Sequence, residues 1–281
     1  MNDQAVNSNP IIKTSSNSND LAHHDPRTDL FVGMRAIQIW GTLGWHDIRQ
    51  RYRRSVLGPF WFTLSTAIMV VVLGALYATL LKQEIANYLP FLAVGLVVWQ
   101  FLGSSITEGC TAFIGSAQLI KQIRLPLTVH VCRVVWRNFV ILLHSLPVAV
   151  VLLIVFGYRP GIEFLLLPFG LLLLLLHGVW IGVVLGILCA RFRDIPPIVI
   201  NLVQVAFFFT PIMWTPEILK DRAWVAEYNP FYHLIEIVRA PIIGRPAHLD
   251  SWLWSLAFLV IGFGLAQFLM KRYRNRVPYW I

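Results

Sequence analysis

The sequence predicts an all-α integral membrane protein with six transmembrane helices. Three observations carry this reading. The chain has six apolar runs, each long enough to cross a hydrocarbon core, which takes about 20 helical residues. It is 57% hydrophobic and only 13% charged, with a mean hydropathy of +0.66, whereas soluble domains carry about a quarter charged residues. Its basic residues also concentrate in alternate connecting segments.

The runs are Phe60–Leu81, Leu89–Thr107, Val134–Phe156, Phe164–Ala190, Ile195–Trp214 and Trp252–Met270. In lipid each backbone amide must bond within its own segment, so these runs read as helices. The third is the most polar, with Arg137 and Asn138 near its start and His144 and Pro147 inside it. With the N-terminus inside, segments on the cytoplasmic side hold 17 of the 23 Lys and Arg residues. The positive-inside rule then places both termini in the cytoplasm. The formal net charge of +9 is spread between apolar runs rather than gathered on a polar domain, which argues against nucleic acid as a partner.

The first 29 residues are polar and rich in Asn, Ser and Asp, and are expected to form a disordered cytoplasmic tail. Asp29 is positioned to cap an interfacial helix running to Ile48, with Ile37, Trp40 and Trp45 beside charged residues, although Gly41 and Gly44 oppose helix. Arg49, Arg51, Arg53 and Arg54 follow, and then Leu57-Gly58-Pro59, with Pro59 suited to a first helical turn. Between the second and third runs, Ser116 to Ile123 predicts a short helix ended by Pro126. Between the fifth and sixth, Phe231, Leu234, Ile235 and Val238 form an apolar stripe at helical spacing after Pro230. That stripe reads as a re-entrant outer helix, which requires cover from protein or a water-filled cavity.

Candidate chemistry is sparse. There is no GxxxxGK[ST] loop, GxSxG or HExxH, and Cys110, Cys132 and Cys189 lack metal-ligand spacing. No metal or cofactor is expected on this chain. Glu108 reads as a partner for an interfacial cation, and His177 as a neutral imidazole bonded to a neighbouring helix. His233 and Glu236, three apart, supply only two potential ligands. Gly178, Gly182 and Gly186 recur at four-residue spacing and mark a packing seam. Asn201, Gln204, Phe207, Phe208, Phe209 and Thr210 put amides, a hydroxyl and aromatic rings on one run. Such a helix suits a path for sugars, though spacing alone serves a lipid-facing role for the rings equally well.

The order of motifs resembles the permeases of type-2 ABC exporters, in particular the branch that exports lipid-linked polysaccharides such as O-antigen, capsule and teichoic acid. The matching stretches are Arg54-Ser55-Val56-Leu57-Gly58-Pro59-Phe60-Trp61, Leu119-Ile120-Lys121 with Leu125-Pro126, Ala190 to Ile195, Phe207 to Trp214, and Tyr228-Asn229-Pro230. They span roughly residue 30 to the C-terminus. Arg124-Leu125-Pro126 departs from the pattern, which has an aromatic residue followed by Pro and Arg. The resemblance implies a homodimer in the bacterial inner membrane, docked on two copies of an ABC ATPase that carries ATP and Mg. It implies a coupling helix at Ser116 to Ile123, with Leu119, Ile120 and Lys121 on the ATPase and the Leu57–Gly58 turn nearby. It further implies that the first and fifth spans line a channel, with Asn201, Gln204, Phe207, Phe208 and Thr210 as candidate lining. Phe231, Leu234, Ile235 and Val238 would form an outer gate.

For an undecaprenyl-diphosphate-linked glycan, Arg51 and Arg54, three apart at headgroup level, are the candidate diphosphate ligands. Basic residues in that position also attract anionic membrane lipid. A permease for drugs or other lipids would share the bundle. An intramembrane glycosyl- or acyltransferase would need a convergent acid, base or nucleophile set, and the sequence offers none.

Overall fold

The computed structural model describes residues 28–281, apart from residues 54, 56, 57, 59, 159, 160 and 223 and the side chains of residues 219 and 221. The described chain is helical: α1 Asp29–Arg35, α2 Ile37–Tyr52, α3 Phe60–Leu80, α4 Ile85–Cys110, α5 Ala117–Gln122, α6 Leu127–Val155, α7 Leu167–Arg191, α8 Ile195–Phe209, α9 Trp224–Glu227, α10 Pro230–Ile242, α11 Leu249–Tyr273 and α12 Val277–Trp280. Five segments are long and apolar enough to cross a membrane: α3, α4, α6, α11, and α7 with the 3₁₀ turn before it. The chain is therefore a multi-pass membrane protein.

The fifth run departs from expectation. Its helix α8 stops at Phe209 after 15 residues, about 22 Å of rise against a core of about 30 Å. Pro211 explains the stop. It brings no N–H to the helix, and it pushes the preceding Thr210 into an extended conformation (φ −88°, ψ 137°). The third run departs in the other direction, because α6 starts at Leu127, seven residues before the apolar stretch. Pro126 leads into it, and its first amides receive a cap from elsewhere in the chain.

That cap is Asp29. The sequence places it at the edge of a tail and as the cap of its own helix, but the side chain does neither. Asp29 is fully buried and accepts from Leu127 N (3.2 Å), Thr128 N (3.2 Å) and Thr128 Oγ1 (3.0 Å), all at the head of α6. Arg274 at the end of α11 closes the pair at 2.6 Å. One carboxylate thus ties α1, α6 and α11 together at the end of the bundle where both described termini lie, called the terminal end below. The interfacial segment, expected as one helix, is two helices broken at Ala36, whose ψ of 49° is non-helical.

Helix α4 lies at the centre, packed against α3, α6, α7 and α8. The glycine seam of α7 holds as expected. Gly178 meets Val135 and Phe101, Gly182 meets Val131 and backbone Gly109, and Gly186 meets Phe113. A Cβ on Gly182 would sit 2.6 Å from Val131, and one on Gly109 would sit 3.0 Å from the Gly182 Cα, so the close crossing of α7 with α4 and α6 requires small residues. Gly44, which by propensity opposes α2, lies where that helix crosses α6: a Cβ there would be 2.9 Å from Trp136 and 3.1 Å from the Arg133 carbonyl.

Replacing Asp29 with Ala leaves two α6 amides and Arg274 without their carboxylate. The expected loss is about 3 kcal/mol, in the range for breaking a buried pair. Thermal unfolding in detergent, followed by size-exclusion chromatography, should show a clear drop in midpoint; an unchanged midpoint contradicts the capping role.

Candidate functional site

The groove between α3 and α8 combines polar and aromatic side chains inside the bundle's apolar zone. Ser65, Thr66 and Met69 come from α3, Leu96, Trp99 and Gln100 from α4, and Phe207 from α8, around a cleft of about 320 Å³. Thr66 Oγ1 donates to Gln100 Oε1 at 3.3 Å, which leaves the Gln100 amide N–H groups for other acceptors. Trp99 lies 5.7 Å from Phe207 and, edge-on, 5.5 Å from Phe231, so one indole joins the groove to α10. Hydroxyl, amide and ring faces in one cleft suit a solute that offers hydroxyls on some faces and C–H on others.

The residues expected to line a path differ in exposure. Asn201, Gln204 and Phe208 are exposed and, at i, i+3 and i+7, share one stripe of α8. Phe207 is half-buried against Trp99. Thr210 is fully buried, donating to Ala206 O (2.7 Å) and accepting from Asn229 Nδ2 (3.1 Å). It is part of the framework, because the break before Pro211 turns it inward. Among the residues expected at an outer gate, Leu234, Ile235 and Val238 are buried in the bundle, and Phe231 is half-buried on Trp99.

The irregular backbone after α8 is fastened at several points. Asn229 Nδ2 donates to Phe209 O at 3.3 Å, and its Oδ1 caps α10 by accepting from Phe231 N at 2.9 Å. Tyr88 Oη donates to Met213 O at 2.6 Å. Arg239, 1% exposed, donates through Nη1 to Pro211 O at 2.8 Å and through Nε and Nη2 to Glu236 at 3.0 and 2.7 Å. Its guanidinium lies 3.9 Å from the Phe91 ring centroid. Glu236 is thereby committed to Arg239. His233 is committed to Ser251 Oγ and Glu227 O, at 3.1 and 2.7 Å. Both side chains are thus engaged within the protein, and no cluster of three metal-ligating side chains occurs among the described residues.

At the terminal end, charges form a chain. Asp47 of α2 receives Arg133 and also Arg137 (3.0 Å); Arg137 reaches Glu108 (2.6 Å), and Glu108 reaches Arg51 (3.2 Å). Glu108 is thus the cation partner its position implied. Arg51 keeps 42% of its side chain exposed. Arg54 and Leu57, the other expected contacts in this region, lie outside the described residues. Gly58 takes φ +55° and donates its N–H to Ser55 Oγ at 3.1 Å.

On α5, Leu119 and Ile120 are partly buried, whereas Lys121 through Arg124 form an exposed edge. Lys121 Nζ donates to the main-chain oxygen of Ile281 at 2.6 Å, bringing α5 beside α12. His177 is buried and bonds through Nδ1 to Leu173 O of its own helix at 2.8 Å.

The family model for the ABC-2 type transporter matches residues 38–243, which includes the groove, the charge chain and α10. The chain belongs to the ABC-2 type transporter family. As an ABC-2 permease it is a membrane transport subunit. Similar curated proteins include an "O-antigen export system permease protein RfbA" of Klebsiella pneumoniae, 27% identical over 232 residues, covering 81% of this chain and 90% of that protein. Another protein of the same name, from Myxococcus xanthus, is 29% identical over 197 residues, covering 69% and 76%.

The sequence reading missed Ser65, Thr66, Trp99 and Gln100 in the groove, and Tyr88 and Arg239 in the framework. Gln100 and Arg239, polar residues flanked by buried apolar neighbours, were the available signals.

Replacing Arg239 with Met should strand Glu236 and the Pro211 carbonyl, destabilising the permease by about 3–5 kcal/mol. Protease protection of the segment around Thr215 in proteoliposomes tests this. Faster cleavage in the variant is expected; unchanged cleavage would mean that Arg239 does not hold the break.

Proposed function

We propose that this ABC-2 permease moves a lipid-linked polysaccharide, of the O-antigen class, across the bacterial inner membrane. The observation that carries the reading is the groove between α3 and α8, where Thr66, Gln100, Trp99 and Phe207 offer hydrogen bonds and ring faces together. A path for drugs or ordinary lipids has little use for amides and hydroxyls at that depth, where each unsatisfied polar group is costly. The names of the similar proteins support the same cargo.

Energy comes from a separate ABC ATPase, since no phosphate-cradling loop occurs in the sequence. In this reading two permeases pair, with α3 and α8 bordering the path between them and α8 crossing the membrane together with the segment after Phe209. The terminal end faces the cytoplasm, as the 17 basic residues on that side favour. The exposed edge of α5 at Lys121 couples to the ATPase. Arg51, with Arg54, receives the carrier diphosphate. The Glu108 pairing holds the Arg51 guanidinium ready at the bundle surface, and an incoming diphosphate exchanges for that carboxylate.

Two experiments test this account. Deleting the gene should abolish surface polysaccharide and accumulate undecaprenyl-linked glycan in the inner leaflet; normal surface polysaccharide contradicts the reading. Substituting both Arg51 and Arg54 with Lys keeps charge and topology but removes the planar fork. Normal insertion with a loss of export of about tenfold or more is expected for bidentate capture, and wild-type export would reduce both arginines to membrane anchors. In the same assays Lys121→Glu should uncouple the ATPase, and undiminished stimulated hydrolysis would remove α5 from the coupling site.

A further inference from the structure

At the end of the bundle opposite the termini, a second cleft of about 450 Å³ opens between the segment from Pro216 to Tyr232 and the start of α11. Its size falls within the range of ligand pockets, roughly 300–1,000 Å³. Its walls differ from those of the groove. Glu217, Glu227 and Asp250 contribute carboxylates, Tyr228 and Trp254 contribute rings, and His248 stands at the rim. None of the three carboxylates has an ion-pair partner among the described residues.

We propose that this cleft is a carbohydrate subsite that holds an uncharged, hydroxyl-rich stretch of the glycan as it leaves the groove. The proposal rests on the polysaccharide reading of the cargo and extends it to a site and a ligand class.

Preorganised rings make the first part of the case. Trp254 stacks on His233 at 5.8 Å and 13°, and His233 is itself fixed by Ser251 Oγ and Glu227 O. Trp254 also stacks on Phe258 at 5.7 Å and 25°, so one wall is a rigid stack of three rings, of which Trp254 remains 37% exposed. Tyr228 is 71% exposed beside it, a large ring left uncovered on a loop. Rings of this kind give contact area at low entropic cost and suit the C–H faces of a pyranose.

The carboxylates make the second part. When ionised they are acceptors only, so they match hydroxyl donors and repel anionic sugars. A shared divalent cation is the competing occupant, but no three metal-ligating side chains converge here among the described residues. Position makes the third part. Phe231 of α10 packs on Trp99, a lining residue of the groove, while its neighbours Tyr232 and His233 line the cleft, so one helix connects the two.

The test uses the permease with its ATPase in nanodiscs. The probe is the host's own surface polysaccharide, released from lipid by mild acid and titrated calorimetrically. Wild type should bind it, and Tyr228→Ala and Trp254→Leu should each weaken binding by roughly three- to tenfold, the effect of one ring contact. Glu227→Gln with Asp250→Asn should weaken it further, while ATP hydrolysis persists in every variant. Tyr228 is exposed on a turn, so its variant keeps the test valid if the Trp254 variant misfolds. An oligomer of sialic acid should not bind. Equal affinity in Tyr228→Ala and wild type, no binding by wild type, or tight binding of the sialic acid oligomer would each overturn the subsite. The exporter reading stands or falls separately, on the surface polysaccharide of the deletion strain.

Discussion

The buried Arg239 guanidinium is the contact on which the far half of the molecule depends. Helix α8 ends two residues before Pro211, and the chain then runs without regular structure among apolar helices. Backbone carbonyls in such a place need donors supplied by protein. Arg239 supplies one to Pro211, Tyr88 one to Met213 and Asn229 one to Phe209. Arg239 is the costliest of these to bury, and it is tolerated because Glu236 neutralises it and Phe91 covers its face. Through these bonds α10 is fixed against α4 and α8, which backs the groove's Trp99 with Phe231 and sets one wall of the cleft beyond it.

The terminal half is organised by carboxylates instead. Asp29 caps α6 and holds Arg274, and Asp47 and Glu108 gather Arg133, Arg137 and Arg51. These pairs fasten α1 and α2 to the long apolar helices α4, α6 and α11. Arg51 is the outermost link, so it can exchange partners without dismantling the rest. The two ends are therefore built differently: the terminal end is a charged clasp, and the far end is a hydrogen-bonded scaffold for an irregular segment.

Much of this was legible in the sequence. The apolar runs of α3, α4, α7 and α11 stand out by length alone, and Pro230 with the stripe from Phe231 to Val238 marks α10. The glycine seam of α7 is equally plain. Other features depend on contacts distant in sequence. Asp29 reads locally as a helix cap, yet it caps a helix that begins 98 residues later. The early start of α6 was hidden for the same reason, since its cap lies on another segment. Pro211 could have flagged the end of α8, but the run Ile195–Trp214 stays apolar through the proline and hydropathy does not register the break. The groove escaped because Ser65, Thr66 and Gln100 are isolated polar residues on two different helices, and only the packing of α3 on α4 brings them together. Thr210 was assigned to the path because its neighbours were aromatic and polar, whereas the backbone turn buries it.

The central claim is that the groove between α3 and α8 is a hydrated path for cargo. With the three buried native cysteines replaced by alanine, Thr66→Cys, Gln100→Cys and Val260→Cys would each be exposed to a charged, water-soluble thiol reagent in membranes during ATP turnover. Val260, on the exposed apolar face of α11, reports lipid. The account predicts rapid modification at positions 66 and 100 and little at 260. Positions 66 and 100 as unreactive as 260 would contradict it.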